Sequence, residues 1–178
     1  MATDVRLLHT ADLDAATRAA ARGLLHAAFA GDLSDHDWEH ALGGMHALAW
    51  EDGELVGHAA LIQRRLVHGG RALRAGYVEG VGVRADRRRR GIGGDLMAAL
   101  ERIVRGAYDL GALGATDEAV ALYASHGWRR WEGPLYAVTP HGIVRTEEEE
   151  GSVYVLEAGV PLDLRGALTC DWRDGDVW

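Results

Sequence analysis

Lysine is missing altogether from this sequence, and cysteine occurs once, at Cys170. A lone cysteine rules out an internal disulfide and any cysteine-based metal cluster, leaving a small buried filler as its ordinary role. No apolar run comes near the roughly 20 residues that cross a bilayer. The opening Met1-Ala2-Thr3-Asp4-Val5-Arg6 lacks both the basic start and the apolar stretch of a secretory signal. A cytoplasmic location without membrane attachment is therefore expected. Positive charge is scarce too: 19 basic residues against 27 acidic ones leave a formal charge of −8. A nucleic-acid partner needs a basic face to neutralise phosphates, so none is expected. His36 and His40 stand four apart, but no Glu directly follows the first as a metalloprotease pattern requires. No metal site is expected.

What is present is unevenly placed. All 19 basic residues are arginine, and Arg84, Arg87, Arg88, Arg89 and Arg90 lie together. The last stretch, from Glu147 onward, carries Glu147, Glu148, Glu149, Glu150, Glu157, Asp163, Asp171, Asp174 and Asp176 against only Arg165 and Arg173. One basic spot in an acidic chain suggests two ligands of opposite sign; solubilising surface is the plainer reading of any single acid. With 178 residues and 48% hydrophobic content, the chain is the size of one domain, 1–178, with a real core.

Periodicity predicts a strand over Val5–Leu8 and a helix capped by Asp12 or Asp14 that runs to Phe29. Asp32 to His40 reads as a polar connection or short helix. Strands follow over Met45–Trp50 and Glu54–Leu66, joined by the hairpin turn Asp52-Gly53, and over Ala72–Val83 after Gly69-Gly70. Gly91–Arg105 has an amphipathic helical pattern. A buried strand at Leu110–Leu113, a helix at Asp117–Ser125 closed by Gly127, and strands at Trp128–Tyr136 and Ser152–Leu156 complete the order. The fold class is mixed α/β, a central mixed sheet flanked by helices.

The segment from Val81 to Gly94 joins a strand end to a helix start and holds closely spaced glycines among arginines. Glycines let backbone N–H groups approach a ligand, and a helix N-terminus adds unpaired donors and partial positive charge. These features point to a phosphate-bearing ligand. There is no Gly-x-x-x-x-Gly-Lys pattern of a nucleotide-hydrolysing loop, nor a dinucleotide fingerprint after the first strand. Gly80 and Gly82 suggest a bulge or a close backbone approach within the strand.

Arg88-Arg89-Arg90-Gly91-Ile92-Gly93, after Val81-Gly82-Val83, resembles the Gln/Arg-x-x-Gly-x-Gly/Ala signature of the GNAT acetyltransferase superfamily. The resemblance implies the GNAT fold with acetyl-CoA as cosubstrate. Arg88, Arg89, Arg90, Gly91, Gly93 and Gly94 would hold its pyrophosphate, and the edge at Val81 and Val83 its pantetheine arm. Further blocks are similar to one branch, the aminoglycoside 2'-N-acetyltransferases. They include Phe29-Ala30-Gly31-Asp32, Asp37-Trp38-Glu39-His40, Gly43 to Leu48, Gly76 to Val81, Arg105 to Tyr108, Leu122 to Ser125, and Cys170 to Trp178. This likeness implies a polycationic acceptor contacted by Asp32, Asp37, Glu79, Gly80, Glu149, Asp176 and Trp178. It also implies Glu79 as proton acceptor from the amine, the carboxylate of Trp178 as a possible assistant, and Tyr123 as proton donor to the departing thiolate. From the residues alone, Glu79 could equally be an outward strand carboxylate and Tyr123 a core residue.

The chain departs from the branch in reading Gly114-Ala115-Thr116 where relatives often carry a Ser, and in using Glu rather than Asp over 147–150. The alternatives are acetylation of another polyamine or amino sugar, and binding of acetyl-CoA or aminoglycoside without turnover. A homodimer is the favoured assembly for the superfamily.

Overall fold

A computed structural model describes residues 3–178. The chain divides into two compact units, Met1–Ile62 with Val78–Arg102, and Gln63–Tyr77 with Ile103–Trp178. Two long strands and one long helix pass from one unit into the other.

In the first unit, β1 (Asp4–His9) pairs antiparallel with β2 (Met45–Glu51), which pairs antiparallel with β3 (Glu54–His68). The β2–β3 turn has both Asp52 (φ 49°) and Gly53 (φ 81°) left-handed, the turn whose twist matches a two-residue hairpin. Helix α1 (Ala15–Ala28) is capped by Asp14, whose carboxylate accepts the Thr17 N–H at 2.7 Å. Its buried Ala21 and Leu25 lie one turn apart and pack with Trp38 and Ala41 of the α2 region (α2, Asp35–His40) and with Ala60 of β3. A Cβ built on Gly57 would stand 3.0 Å from Ile92 and Leu96 of α3 (Ile92–Ala107). Gly57 and Ala60 are three apart on one strand and so face opposite sides. Helices α1 and α2 thus cover one face of these strands, and the start of α3 the other. The second half of β4 (Arg71–Val83) completes this unit.

The second unit holds strands in the order β6-β9-β5-β4-β3-β10-β7-β8, with β4 and β3 contributing Arg71–Tyr77 and Gln63–His68. Here β5 (Leu110–Gly114) runs parallel to β4, and β9 (Val153–Glu157) antiparallel to β5. The two-residue β6 (Arg129–Arg130) borders β9. Next to β3 lies β10 (Leu168–Cys170), antiparallel to it and parallel to β7 (Leu135–Thr139), whose hairpin partner is β8 (Gly142–Arg145). The core gathers Leu66, Tyr77, Leu110, Trp131, Leu135, Val155, Leu168, Cys170 and Trp178. Cys170 is fully buried, as its apolar character leads one to expect. Among the described residues no helix is long and apolar enough to cross a membrane.

Three expectations need correction. The strand expected over Trp128–Tyr136 is two strands, because Pro134 has no N–H for a ladder and Gly133 sits where a Cβ would meet the Gly166 carbonyl at 2.1 Å. The loop expected around Pro140 is the tight turn of the β7–β8 hairpin, and β10 was hidden by its three-residue length. Of the helix expected over Asp117–Ser125, only α4 (Val120–Ser125) is α-helical; Asp117–Ala119 is a 3-10 turn.

Candidate active site

At the end of β4 the chain makes a 3-10 turn over Ala85–Arg87 and then enters α3 through Arg88–Gly91. Arg89 (φ 62°) and Gly91 (φ 87°) are both left-handed. Such alternation makes a concavity of backbone N–H groups, and the first turn of α3 adds its own unpaired donors. A backbone of this shape suits an anion. The arginines contribute less than their number suggests. Arg84 donates to Glu54 and Asp86 at 2.7 Å, Arg87 to Glu51 at 2.8 Å and to Asp86 at 2.6 Å. The Arg88 guanidinium donates to the carbonyls of Val83 (3.2 Å) and Ala28 (3.0 Å), tying the end of β4 to the end of α1. Arg89 and Arg90 are exposed.

Upstream on β4, Glu79, Gly80, Val81 and Val83 are half-buried. Gly80 is left-handed at φ 54°, and a Cβ there would stand 2.9 Å from Leu25, a close approach of the kind its sequence position suggested. At Gly82 the close approach comes from α1: a Cβ there would stand 2.9 Å from Leu25 and 3.2 Å from Ala28. On the same unit Asp32 is exposed just past the end of α1. Asp37 is half-buried, and its carboxylate accepts the Ser34 N–H and hydroxyl, each at 2.8 Å, in a capping box that starts α2.

In the second unit Tyr123 of α4 is 4% exposed, near Trp128, and burial pushes its phenol up to about 12. The final residues are docked rather than frayed. Trp178 is buried in the core, its indole N–H donating to the Thr146 hydroxyl at 2.9 Å. Arg64, only 5% exposed on β3, donates to the Asp171 carboxylate (2.8 Å), the Asp171 carbonyl (3.0 Å) and the Val177 carbonyl (2.8 Å). Arg173 donates to the Asp176 carbonyl (2.7 Å) and to a main-chain oxygen of Trp178 (2.9 Å). Both guanidinium groups lie over the Tyr77 ring, at 4.6 and 5.4 Å. A Cβ on Gly114 would stand 3.8 Å from the Trp178 carbonyl carbon, so a side chain there would face the tail. Glu149, in the 3-10 turn Glu147–Glu149, has its carboxyl raised by burial and then by the nearby Asp176 charge. Two carboxylates held together in this way suit a cation.

Within each unit the expected residues fall into groups. Glu79, Gly80, Val81 and Val83 share one strand that runs into the 88–94 loop, and Glu149, Asp176 and Trp178 gather at the tail. Sequence reasoning missed Arg64, which alternation places on the same side of β3 as Leu66. It also missed His46 and His58, both fully buried. Apolar neighbours on either side of each histidine were the available signal.

An acetyltransferase (GNAT) domain family matches residues 4–130 of the chain. An aminoglycoside 2'-N-acetyltransferase from Mycolicibacterium fortuitum is 52% identical over 177 residues, covering 97% of this chain and 91% of that protein. The solved structure of Eis1 from Mycobacterium abscessus superposes with a TM-score of 0.62 at 25% identity, over 76% of this chain but only 33% of that one. A GNAT family acetyltransferase from Brucella melitensis, solved in complex with acetyl-CoA, superposes at 0.60 with 19% identity over 93% of this chain and 94% of that one. The last likeness speaks to the fold alone.

Proposed function

The chain belongs to the GNAT acetyltransferase family, and on that premise we propose that it carries an acetyl group from acetyl-CoA to the 2'-amine of aminoglycosides, conferring resistance to them. The observation that carries the acceptor class is the 52% identity, over 97% of the chain, to a protein of that activity.

Acetyl-CoA, when bound, supplies an acetyl thioester. The backbone of Arg88, Arg89, Arg90, Gly91, Gly93 and Gly94 holds the pyrophosphate, and the left-handed Arg89 and Gly91 ahead of α3 support that reading. The strand edge at Val81 and Val83 pairs with the pantetheine arm. The Val81 N–H polarises the thioester oxygen, where charge builds up during attack. Glu79 accepts a proton from the acceptor ammonium, directly or through one water, so that a neutral amine attacks; the Trp178 carboxylate assists. Tyr123 gives a proton to the departing thiolate, a role that suits a phenol kept protonated up to about 12. Asp32, Asp37, Glu79, Gly80, Glu149, Asp176 and Trp178 receive the ammonium groups, each desolvated cation needing a partner. Transfer is direct, within a ternary complex. The protein works in the cytoplasm as a homodimer, a reading supported by the exposed Val138, Ile143 and Val144 on the edge hairpin of the second unit.

Thiol release from acetyl-CoA with tobramycin, which has a 2'-amine, and kanamycin A, which has a 2'-hydroxyl, tests this. Turnover of the first and little of the second is expected. Equal turnover would overturn the 2' position, and none with either would overturn the acceptor class.

A further inference from the structure

Inside the first unit a line of hydrogen bonds ends at Gly80 of β4. The His58 Nδ1 lies 2.7 Å from the Gly80 carbonyl oxygen, the His58 Nε2 lies 2.9 Å from His46 Nδ1, and the His46 Nε2 lies 2.7 Å from the Thr10 hydroxyl. A carbonyl only accepts, so His58 carries its proton on Nδ1. Both rings are fully buried, and burial holds each neutral, with its proton lost already at about 4. A neutral His58 then has a bare Nε2, which must accept from His46 Nδ1–H. That leaves the His46 Nε2 bare, to accept from the Thr10 hydroxyl. The hydroxyl has one proton and two candidate acceptors, the His46 Nε2 at 2.7 Å and the Gly44 carbonyl at 3.2 Å; the nearer, bare ring nitrogen takes it, while the hydroxyl oxygen accepts the Gly43 N–H at 2.8 Å. Every bond in the chain therefore points one way, toward Gly80.

The Gly80 carbonyl shares its peptide plane with the Val81 N–H. In a trans peptide the two point in opposite directions, and no cis peptide occurs among the described residues. Gly80 gains from this anchor because glycine, having no Cβ, restrains its own backbone less than any other residue. A Cβ on Gly80 would stand 3.6 Å from the His58 ring and 2.9 Å from Leu25, so the backbone sits directly against both. A hydrogen bond accepted by a peptide carbonyl also makes the N–H of the same peptide a stronger donor.

We propose that Thr10, His46 and His58 form a positioning relay for acetyl transfer, one that pins the Gly80–Val81 peptide and polarises its N–H toward the thioester oxygen. The inference rests on the proposed role of the Val81 N–H.

Three variants and one spectrum test it. His58→Leu removes the donor at nearly constant volume, whereas His58→Asn restores an N–H near the Nδ1 position. With tobramycin, His58→Leu should lower kcat about 10- to 50-fold, somewhat less than the loss of a whole oxyanion donor. Acetyl-CoA affinity should stay within about threefold. His58→Asn should recover much of that loss, and His46→Leu should fall between the two. An unchanged kcat in folded His58→Leu overturns the proposal, as does an equal fall for Leu and Asn. The Val81 amide resonance, followed as acetyl-CoA is added without acceptor, needs no turnover. If it moves in the unmodified protein and identically in His58→Leu, the relay is refuted while the Val81 role stands. If it does not move in the unmodified protein, the Val81 role fails and the relay with it. Should His58→Leu not fold, ring ¹⁵N shifts of the unmodified protein decide: Nδ1–H on both histidines is expected, and Nε2–H on His58 overturns the proposal.

Discussion

Tyr123 illustrates how burial sets a side chain's chemistry. Removed from water with no cation beside it to favour the phenolate, the phenol holds its proton to about 12 and can only donate at neutral pH. Tyr123→Phe should therefore lower kcat about 100-fold or more while acetyl-CoA affinity moves little, in the range of a lost general acid. Glu79→Gln should do the same at the other proton, and single-turnover kinetics would separate these losses from weakened binding. His46 and His58 make a second residue-scale case. His46 faces His58, His9 and Arg18, His58 faces the Gly80 carbonyl, and burial is the leading cause that holds both at about 4. The unfolded chain titrates these rings near 6.5, so below that pH it takes up protons that the folded chain refuses. Stability should be full above about 6.5 and fall steadily toward 4, by roughly 3 kcal/mol for each ring at the lower end. Urea midpoints at several pH values would read this, and His46→Gln should flatten the slope.

Elements differ in how plainly the sequence announced them. The Asp14 cap, the Asp52-Gly53 hairpin and the Gly91–Arg105 periodicity each combine a local signal with a long apolar pattern, and each stands where expected. Strands β8 and β10 were invisible because four and three residues are too few for alternation to register, and β8 is exposed throughout. The candidate site divides on the same principle. The phosphate loop is contiguous and carries its signal in glycine spacing, whereas the clamp on the tail joins Arg64 to Asp171 and Val177 across more than a hundred positions. No local pattern encodes such a pairing. Arg64→Met would strand the Asp171 carboxylate and two carbonyls, at a cost of about 2 kcal/mol because Asp171 keeps partial access to water. Urea denaturation should show that loss, and KM for aminoglycoside should rise with it as the Glu149 and Asp176 pair loses its support.

For the molecule as a whole, the charge of −8 sets how a polycation arrives. Acceptor capture should weaken as salt screens that field, so kcat/KM for tobramycin should fall several-fold between about 20 mM and 300 mM salt. kcat should change little over the same range, and a salt-independent kcat/KM would remove long-range attraction from the account. This property is legible before any fold is known, because net charge is a sum over residue types.

The arginines that make the phosphate loop conspicuous are mostly engaged with other parts of the protein. Arg84 and Arg87 serve carboxylates, and Arg88 fastens β4 to α1. Arg89 and Arg90 remain exposed, beside a main chain shaped by left-handed residues at 89 and 91. Main-chain amides are common to nearly every codon, so the genetic constraint falls on shape rather than on charge. In a saturation library selected for activity, position 90 should drift among many residues and 89 among those that tolerate a left-handed backbone, while 91 stays glycine and 88 keeps a side chain that can reach Ala28. A lineage descending from this chain could lose its most visible signature and still keep the backbone shape proposed to hold phosphate.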